Sequence, residues 1–138
     1  MDIRLDHIGI AVNSLDEGEK FWRLLGLVPE SEDEEVADQG VKTRFIPIAY
    51  QSQKPAMIEL LEPTGPNTPI GKFISKKGVG IQQICFQVSD INQLIKKLLN
   101  SGITMIDEVP RLGSKNCLIA FVHPKSTGGV LVELSQTQ

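Results

Sequence analysis

His7-Ile8-Gly9-Ile10-Ala11-Val12 and Gln83-Ile84-Cys85-Phe86-Gln87-Val88 decide the fold, because they are one element written twice. Each is a short β-rich run followed by small or turn-forming residues, Asn13-Ser14 in the first case and Ser89-Asp90 in the second. An amphipathic helical stretch comes next in both, and each stretch reaches a glycine, Gly26 or Gly102. From 7 to 83, and again from 26 to 102, the offset is 76 residues. A strand and a helix therefore recur in register, the mark of an internal duplication.

Local signals fix the helices. Ser14-x-x-Glu17 has capping-box spacing, in which a hydroxyl and a carboxylate satisfy orphan backbone N–H groups. Phe21, Trp22, Leu24 and Leu25 predict the apolar face of the first helix, with Trp22 in the core or a dimer interface, and Gly26 the left-handed stop. Ile91, Leu94, Ile95, Leu98 and Leu99 follow the i, i+3, i+4, i+7, i+8 rule in the second.

Strands follow each helix, at Lys42 to Ile48 and Ala56 to Leu61 in the first half, and at Cys117 to Val122 and Gly129 to Leu134 in the second. Phe45-Ile46-Pro47 precedes Phe121-Val122-His123 by the same 76 residues, whereas Glu59 precedes Glu133 by 74. One loop that differs by two residues accounts for the change. The fold class is α+β, with two pseudo-symmetric β-α-β-β-β modules at about 3–62 and 79–136. They form a curved mixed sheet within one domain spanning 1–138. The linker, about 63–78, is rich in turn formers, and Pro69 after an Asn67 or Thr68 cap opens a short helix with Ile70, Phe73 and Ile74 on its buried side. The acidic run from Glu30 to Asp38 reads as a solvated loop.

Composition narrows the function. The chain has 138 residues, 41% hydrophobic and 22% charged, which suits one globular domain with a core. Seventeen acidic residues against 14 basic ones give a net charge of −3, which argues against a nucleic-acid partner. No apolar run approaches the roughly 20 residues of a membrane helix, and the first residues carry no signal-peptide pattern. Cys85 and Cys117 lie in apolar strand-like stretches and read as free buried thiols. The expectation is a soluble cytoplasmic protein that handles a small molecule, without nucleic-acid or membrane partners.

Duplication raises the question of which polar residues occupy equivalent places. His7 and Gln83 open the first strand of each half, and Glu59 and Glu133 lie in the last. If the halves pair about a pseudo-twofold axis, these four converge in one cleft. An imidazole, an amide oxygen and two carboxylates suit a divalent ion such as Co, Mn, Ni or Zn, with positions left open for substrate. Alternation puts Glu59 on a face with Met57 and Leu61, where a carboxylate is costly unless paired or metal-bound. The other reading turns both glutamates to solvent on a one-sided sheet.

Asp6 to Val12, Ile58 to Pro63 and His123 to Leu134 resemble the methylmalonyl-CoA epimerase family of the vicinal oxygen chelate (glyoxalase/dioxygenase) superfamily. Gln39-Gly40-Val41, the segment from Gly65 to Phe73 and Pro110-Arg111-Leu112-Gly113 also follow its pattern. The resemblance implies paired modules around a metal cleft, a homodimer, and metal ligands at His7, Glu59, Gln83 and Glu133. It implies an acyl-CoA substrate, with (R)- and (S)-methylmalonyl-CoA interconverted by loss and return of the C2 proton through a metal-stabilised enolate. Glu133 is then the first choice for an acid/base group, and Glu59 takes the second role by pseudo-symmetry. Lys125 and Ser126 either meet a CoA phosphate or substrate carboxylate or form a plain surface turn.

The chain departs from the family at three points. Gln82-Gln83 replace a His-His pair, and an amide binds most transition metals less well than an imidazole. Lys42-Thr43-Arg44 lack the glutamate that some members carry after Gln-Gly-Val. Ser114-Lys115-Asn116 replace a glycine-rich turn close to the substrate. Two alternatives stay open: a glyoxalase-I-like lyase or isomerase acting on a glutathione hemithioacetal, and a non-catalytic small-ligand binder.

Overall fold

The computed structural model describes residues 1–48 and 54–138, which divide into two compact units, His7–Gln82 and Met1–Asp6 with Gln83–Gln138. In the first unit, strand β1 (Ile3–Ala11, entering the unit at His7) leads into helix α1 (Leu15–Leu24) and strands β2 (Glu34–Val36), β3 (Val41–Pro47) and β4 (Met57–Pro63). Helix α2 (Pro69–Lys77) completes it. In the second unit, β5 (Gly80–Val88, entering at Gln83) leads into α3 (Ile91–Asn100), β6 (Arg111–Leu112), β7 (Cys117–Val122) and β8 (Val132–Thr137). Both units are thus β-α-β-β-β, as the duplication requires.

Strand order repeats as well. It runs β2-β3-β4-β1 in one unit and β6-β7-β8-β5 in the other. The last strand of each lies parallel to the first, and the remaining pairs are antiparallel. A parallel closing pair demands a crossover, and the helix supplies it. Phe45 stands opposite Glu59, and Phe121 opposite Glu133. The 76- and 74-residue offsets therefore name equivalent positions, and the first unit's extra residues fall between β3 and β4.

Each sheet has two distinct faces. In the second unit, Val88, Ala120, Val122 and Leu134 pack under Ile91 and Ile95 of α3, with Leu94, Leu98 and Leu99 at the margin, as their periodicity predicts. In the first unit, Ile46, Ile58 and Leu60 pack against Val12, Leu15 and Trp22. On the opposite face Ala11, Val41 and Leu61 meet Ile70 of α2, with Phe73 and Ile74 alongside. Thr68 caps α2 by accepting from the Gly71 N–H, and Pro69 takes the first turn. Gly26 and Gly102 adopt φ of 86° and 82° after their helices, the left-handed stop in both repeats.

Two expectations are corrected. Phe21, Leu24 and Leu25 are exposed rather than apolar-face residues of α1; the buried side carries Leu15, Glu19 and Trp22. Glu19 tolerates this because Arg44, on β3, reaches it at 3.1 Å and Arg23 pairs with it from the next helical turn. Gly18 lets the helix approach: a Cβ there would come within 2.6 Å of Val12 Cγ1. The acidic run is likewise more than a solvated loop. It supplies edge strand β2, and Asp33 forms a two-pronged pair with Arg44 at 2.8 and 2.7 Å. That contact holds the Asp33 carboxyl below the usual range and raises the Arg44 guanidinium above its own.

Candidate metal and acid/base site

The two parallel closing pairs each bring two predicted ligands together. In the first unit, β1 and β4 pair with His7 beside Met57 and Gly9 beside Glu59. His7 and Glu59 are thus diagonal neighbours on one face, and Nε2 of the imidazole lies 3.3 Å from Oε1 of the carboxylate. In the second, β5 and β8 pair Cys85 with Glu133, two residues past Gln83. Gln83 and Glu133 repeat the diagonal, with Nε2 of the amide 3.5 Å from Oε2.

All four are buried, at 7%, 6%, 7% and 8% exposure for His7, Glu59, Gln83 and Glu133. The solvent-facing reading of the glutamates is therefore overturned. A buried carboxylate needs a compensating partner, and in each unit the first-strand residue is one such partner. A packed aromatic ring borders both glutamates. Phe45 meets His7 edge-on at 5.8 Å and is the cross-strand neighbour of Glu59, and Phe121 is the neighbour of Glu133. Sequence spacing carried this signal, since Phe45 and Phe121 share the 76-residue offset, but the pairing that seats them beside the glutamates came only with the register.

Further features bear on the donors. Gln82 points by alternation to the face opposite Gln83, and its Oε1 is buried without a hydrogen-bond partner. Of the two positions where the family carries histidine, only Gln83 thus joins a carboxylate pair. Thr43 lies on the same face of β3 as Phe45, almost fully buried, so this position of the strand supplies a hydroxyl and no carboxylate. Among the described residues Cys85 and Cys117 form no disulfide, and Cys85 is fully buried and Cys117 partly so.

Lys125 and Ser126 lie elsewhere in the second unit, in a one-turn 3-10 helix (Pro124–Ser126). His123 Nδ1 accepts from the Lys125 N–H at 3.1 Å, and the Ser126 hydroxyl accepts from the Thr104 N–H at 2.9 Å. Ser126 therefore keeps its own proton to donate, while Lys125 is exposed. The turn at Ser114–Asn116 keeps a left-handed backbone without glycine, with φ of 54° at Lys115 and 56° at Asn116. Two such residues in succession make the tight hairpin between β6 and β7.

Imidazole and carboxylate in the first unit, and amide and carboxylate in the second, are each donor types that divalent ions of intermediate softness accept. Comparison with known proteins bears on which chemistry the donors serve. Residues 6–121 match the model of the Glyoxalase/Bleomycin resistance protein/Dioxygenase superfamily. The mitochondrial methylmalonyl-CoA epimerase of Dictyostelium discoideum is 36% identical over 134 residues, covering 96% of this chain and 78% of the relative. A hypothetical protein from Bacillus halodurans C-125 superposes with a TM-score of 0.92 at 37% identity, covering 100% of this chain and 96% of that one. A methylmalonyl-CoA epimerase solved with methylmalonyl-CoA and NH4+ superposes with a TM-score of 0.86 at 33% identity, covering 97% and 94%. With its duplicated modules and repeated carboxylate pairs, the chain belongs to the methylmalonyl-CoA epimerase family of the glyoxalase and dioxygenase superfamily.

Proposed function

We propose that the protein is a metal-dependent epimerase that interconverts (R)- and (S)-methylmalonyl-CoA. The observation that carries this is the recurrence of one buried carboxylate pair in each module, in a chain similar over nearly its full length to methylmalonyl-CoA epimerases. His7, Glu59, Gln83 and Glu133 are the proposed ligands, and members of the superfamily usually bind a metal. For Gln83 to serve, its amide must turn the oxygen rather than Nε2 towards the ion, a rotation of one side-chain torsion. When bound, a divalent ion supplies Lewis-acid stabilisation of negative charge on substrate oxygens.

Proton movement falls to the carboxylates. The C2 hydrogen lies between a thioester and a carboxylate and is acidified by both. Glu133 would take that proton on a carboxylate oxygen, and Glu59, protonated at the start, would return one to the opposite face of C2. Exchange with solvent restores the starting protonation of each. The Ser126 hydroxyl proton and the Lys125 ammonium remain available to a phosphate or carboxylate oxygen. Exposed Phe21, Leu24 and Leu25 support a homodimer, and among the described residues no helix is long and apolar enough to cross a membrane.

Proton NMR of methylmalonyl-CoA in D₂O tests the reading with protein stripped of metal and then reconstituted with Co²⁺ or Mn²⁺. The expected result is metal-dependent loss of the C2 proton signal, abolished by Glu133→Gln and reduced less by Glu59→Gln. Absence of exchange with every metal refutes the epimerase, and equal activity in both variants refutes the division of roles.

A further inference from the structure

One more charged side chain is held on the ligand-bearing face of the second unit. Arg111 on β6 stands opposite Ile119 on β7, and Ile119 stands opposite Ser135 on β8. Residues in register share a face, so Arg111 lies on the same side as Phe121 and Glu133. Its guanidinium sits over the Phe121 ring, 5.6 Å from the centroid, and Phe121 is the cross-strand neighbour of Glu133. Nε donates to Asp107 Oδ1 at 3.2 Å, and the other oxygen of Asp107 accepts from the Phe121 N–H at 2.9 Å. One carboxylate thus ties the cation to the strand whose ring supports it.

This anchoring spends Nε and leaves both Nη groups of a side chain that is 48% exposed. A planar guanidinium fixed by its inner edge and its face offers two parallel N–H donors, the geometry that grips carboxylate or phosphate. Duplication does not impose a cation here. The equivalent register position in the first unit holds Glu34, opposite Thr43, which stands opposite Leu61. The guanidinium is peculiar to the second unit.

We propose that Arg111 binds an anionic oxygen group of the acyl thioester, either its free carboxylate or a phosphate of coenzyme A. The assignment rests on the acyl-CoA reading above. The experiment compares wild-type, Arg111→Met and Arg111→Lys holoenzyme on methylmalonyl-CoA and on the N-acetylcysteamine thioester, which keeps the carboxylate and lacks every phosphate. Calorimetric titration of the same variants with coenzyme A and with the short thioester reads binding without turnover.

Arg111→Met is expected to raise KM for methylmalonyl-CoA roughly tenfold with kcat within about twofold, the loss of one charge-assisted contact. Arg111→Lys recovers part of that loss. A phosphate contact weakens coenzyme A binding and spares the short thioester; a carboxylate contact does the reverse. Unchanged binding of both probes in Arg111→Met overturns the proposal, as does a fall in kcat with KM unchanged. If the wild type exchanges no C2 proton on either thioester, the epimerase reading fails, and the titrations still decide the role of Arg111.

Discussion

Replacing Glu62 tests how the strands that carry Glu59 and Glu133 are held. Its Oε1 accepts from the Leu15 N–H, the first donor of α1, at 2.8 Å. In the other unit Gln136 Oε1 accepts from the Ile91 N–H, the first donor of α3, at 2.7 Å. Each side chain lies three residues past a proposed ligand, Glu59 or Glu133, and joins that strand to the helix following its parallel partner. The protein thus contains its own control: a carboxylate does in one unit what an amide does in the other. Glu62→Leu leaves the N–H of a nearly buried residue without its acceptor, which costs about 2 kcal/mol. Glu62→Gln keeps the acceptor and loses only the charge near the helix N-terminus, about 0.5 kcal/mol. Gln136→Leu, removing a neutral bond, falls between them at about 1 to 2 kcal/mol. Urea unfolding followed by circular dichroism reads these as midpoint shifts, with Glu62→Leu lower by roughly 1 M at an ordinary slope. Hydrogen exchange at the Leu15 amide should accelerate in Glu62→Leu and barely change in Glu62→Gln. Equal destabilisation by Gln and Leu at position 62 would show that charge matters and the acceptor does not, and a silent Gln136→Leu would remove the shared device altogether.

Two predictions accompany it. Arg44→Met should cost about 1 to 3 kcal/mol, because it removes a partly buried cation that serves Glu19, Asp16 and Asp33, and Glu19 keeps only Arg23. Arg44 holds the Asp33 carboxyl below its ordinary value, so that pairing stabilises the wild type above the unfolded pKa and fades as pH falls through the folded one. Urea midpoints from pH 2.5 to 6 should therefore decline less steeply with acid in Arg44→Met, and identical slopes refute the pairing's role. Gln83→His should tighten Co²⁺ by roughly tenfold if residue 83 is a ligand, since imidazole is the better donor. A metal titration identical to wild type would place Gln83 outside the coordination sphere.

Legibility followed the range of the interactions. Signals within one turn or one strand read correctly from sequence, as at the Ser14 and Thr68 caps, the Gly26 and Gly102 stops and the apolar stripe of α3. The face of α1 did not, because the burial of Glu19 depends on Arg44, 25 residues away and on another strand. Strand β2 was hidden inside an acidic run, where Asp33 and Glu35 look solvated and only pairing with β3 gives the segment its form. Strand β6, Arg111–Leu112, is too short for any periodicity to show. The ligand candidates were visible because duplication repeats their positions, but their burial and diagonal contacts were not, since both depend on which strand runs parallel to which.

Duplication also explains where chemistry can diverge. The shared backbone fixes register, so equivalent positions are free to change side chain without moving. His7 answers Gln83, Glu62 answers Gln136, and Glu34 answers Arg111, while Glu59 and Glu133, each with a phenylalanine beside it, stay alike. Epimerisation makes the same division of demands. Under the proposed reaction the two faces of C2 need similar groups to move a proton, which suits the matched glutamates. The substituents of C2 differ, one a carboxylate and one a thioester leading to phosphates, which suits unlike residues around that matched pair. Packing alone does not call for two buried carboxylates at equivalent positions, since each is costly there unless it has a partner.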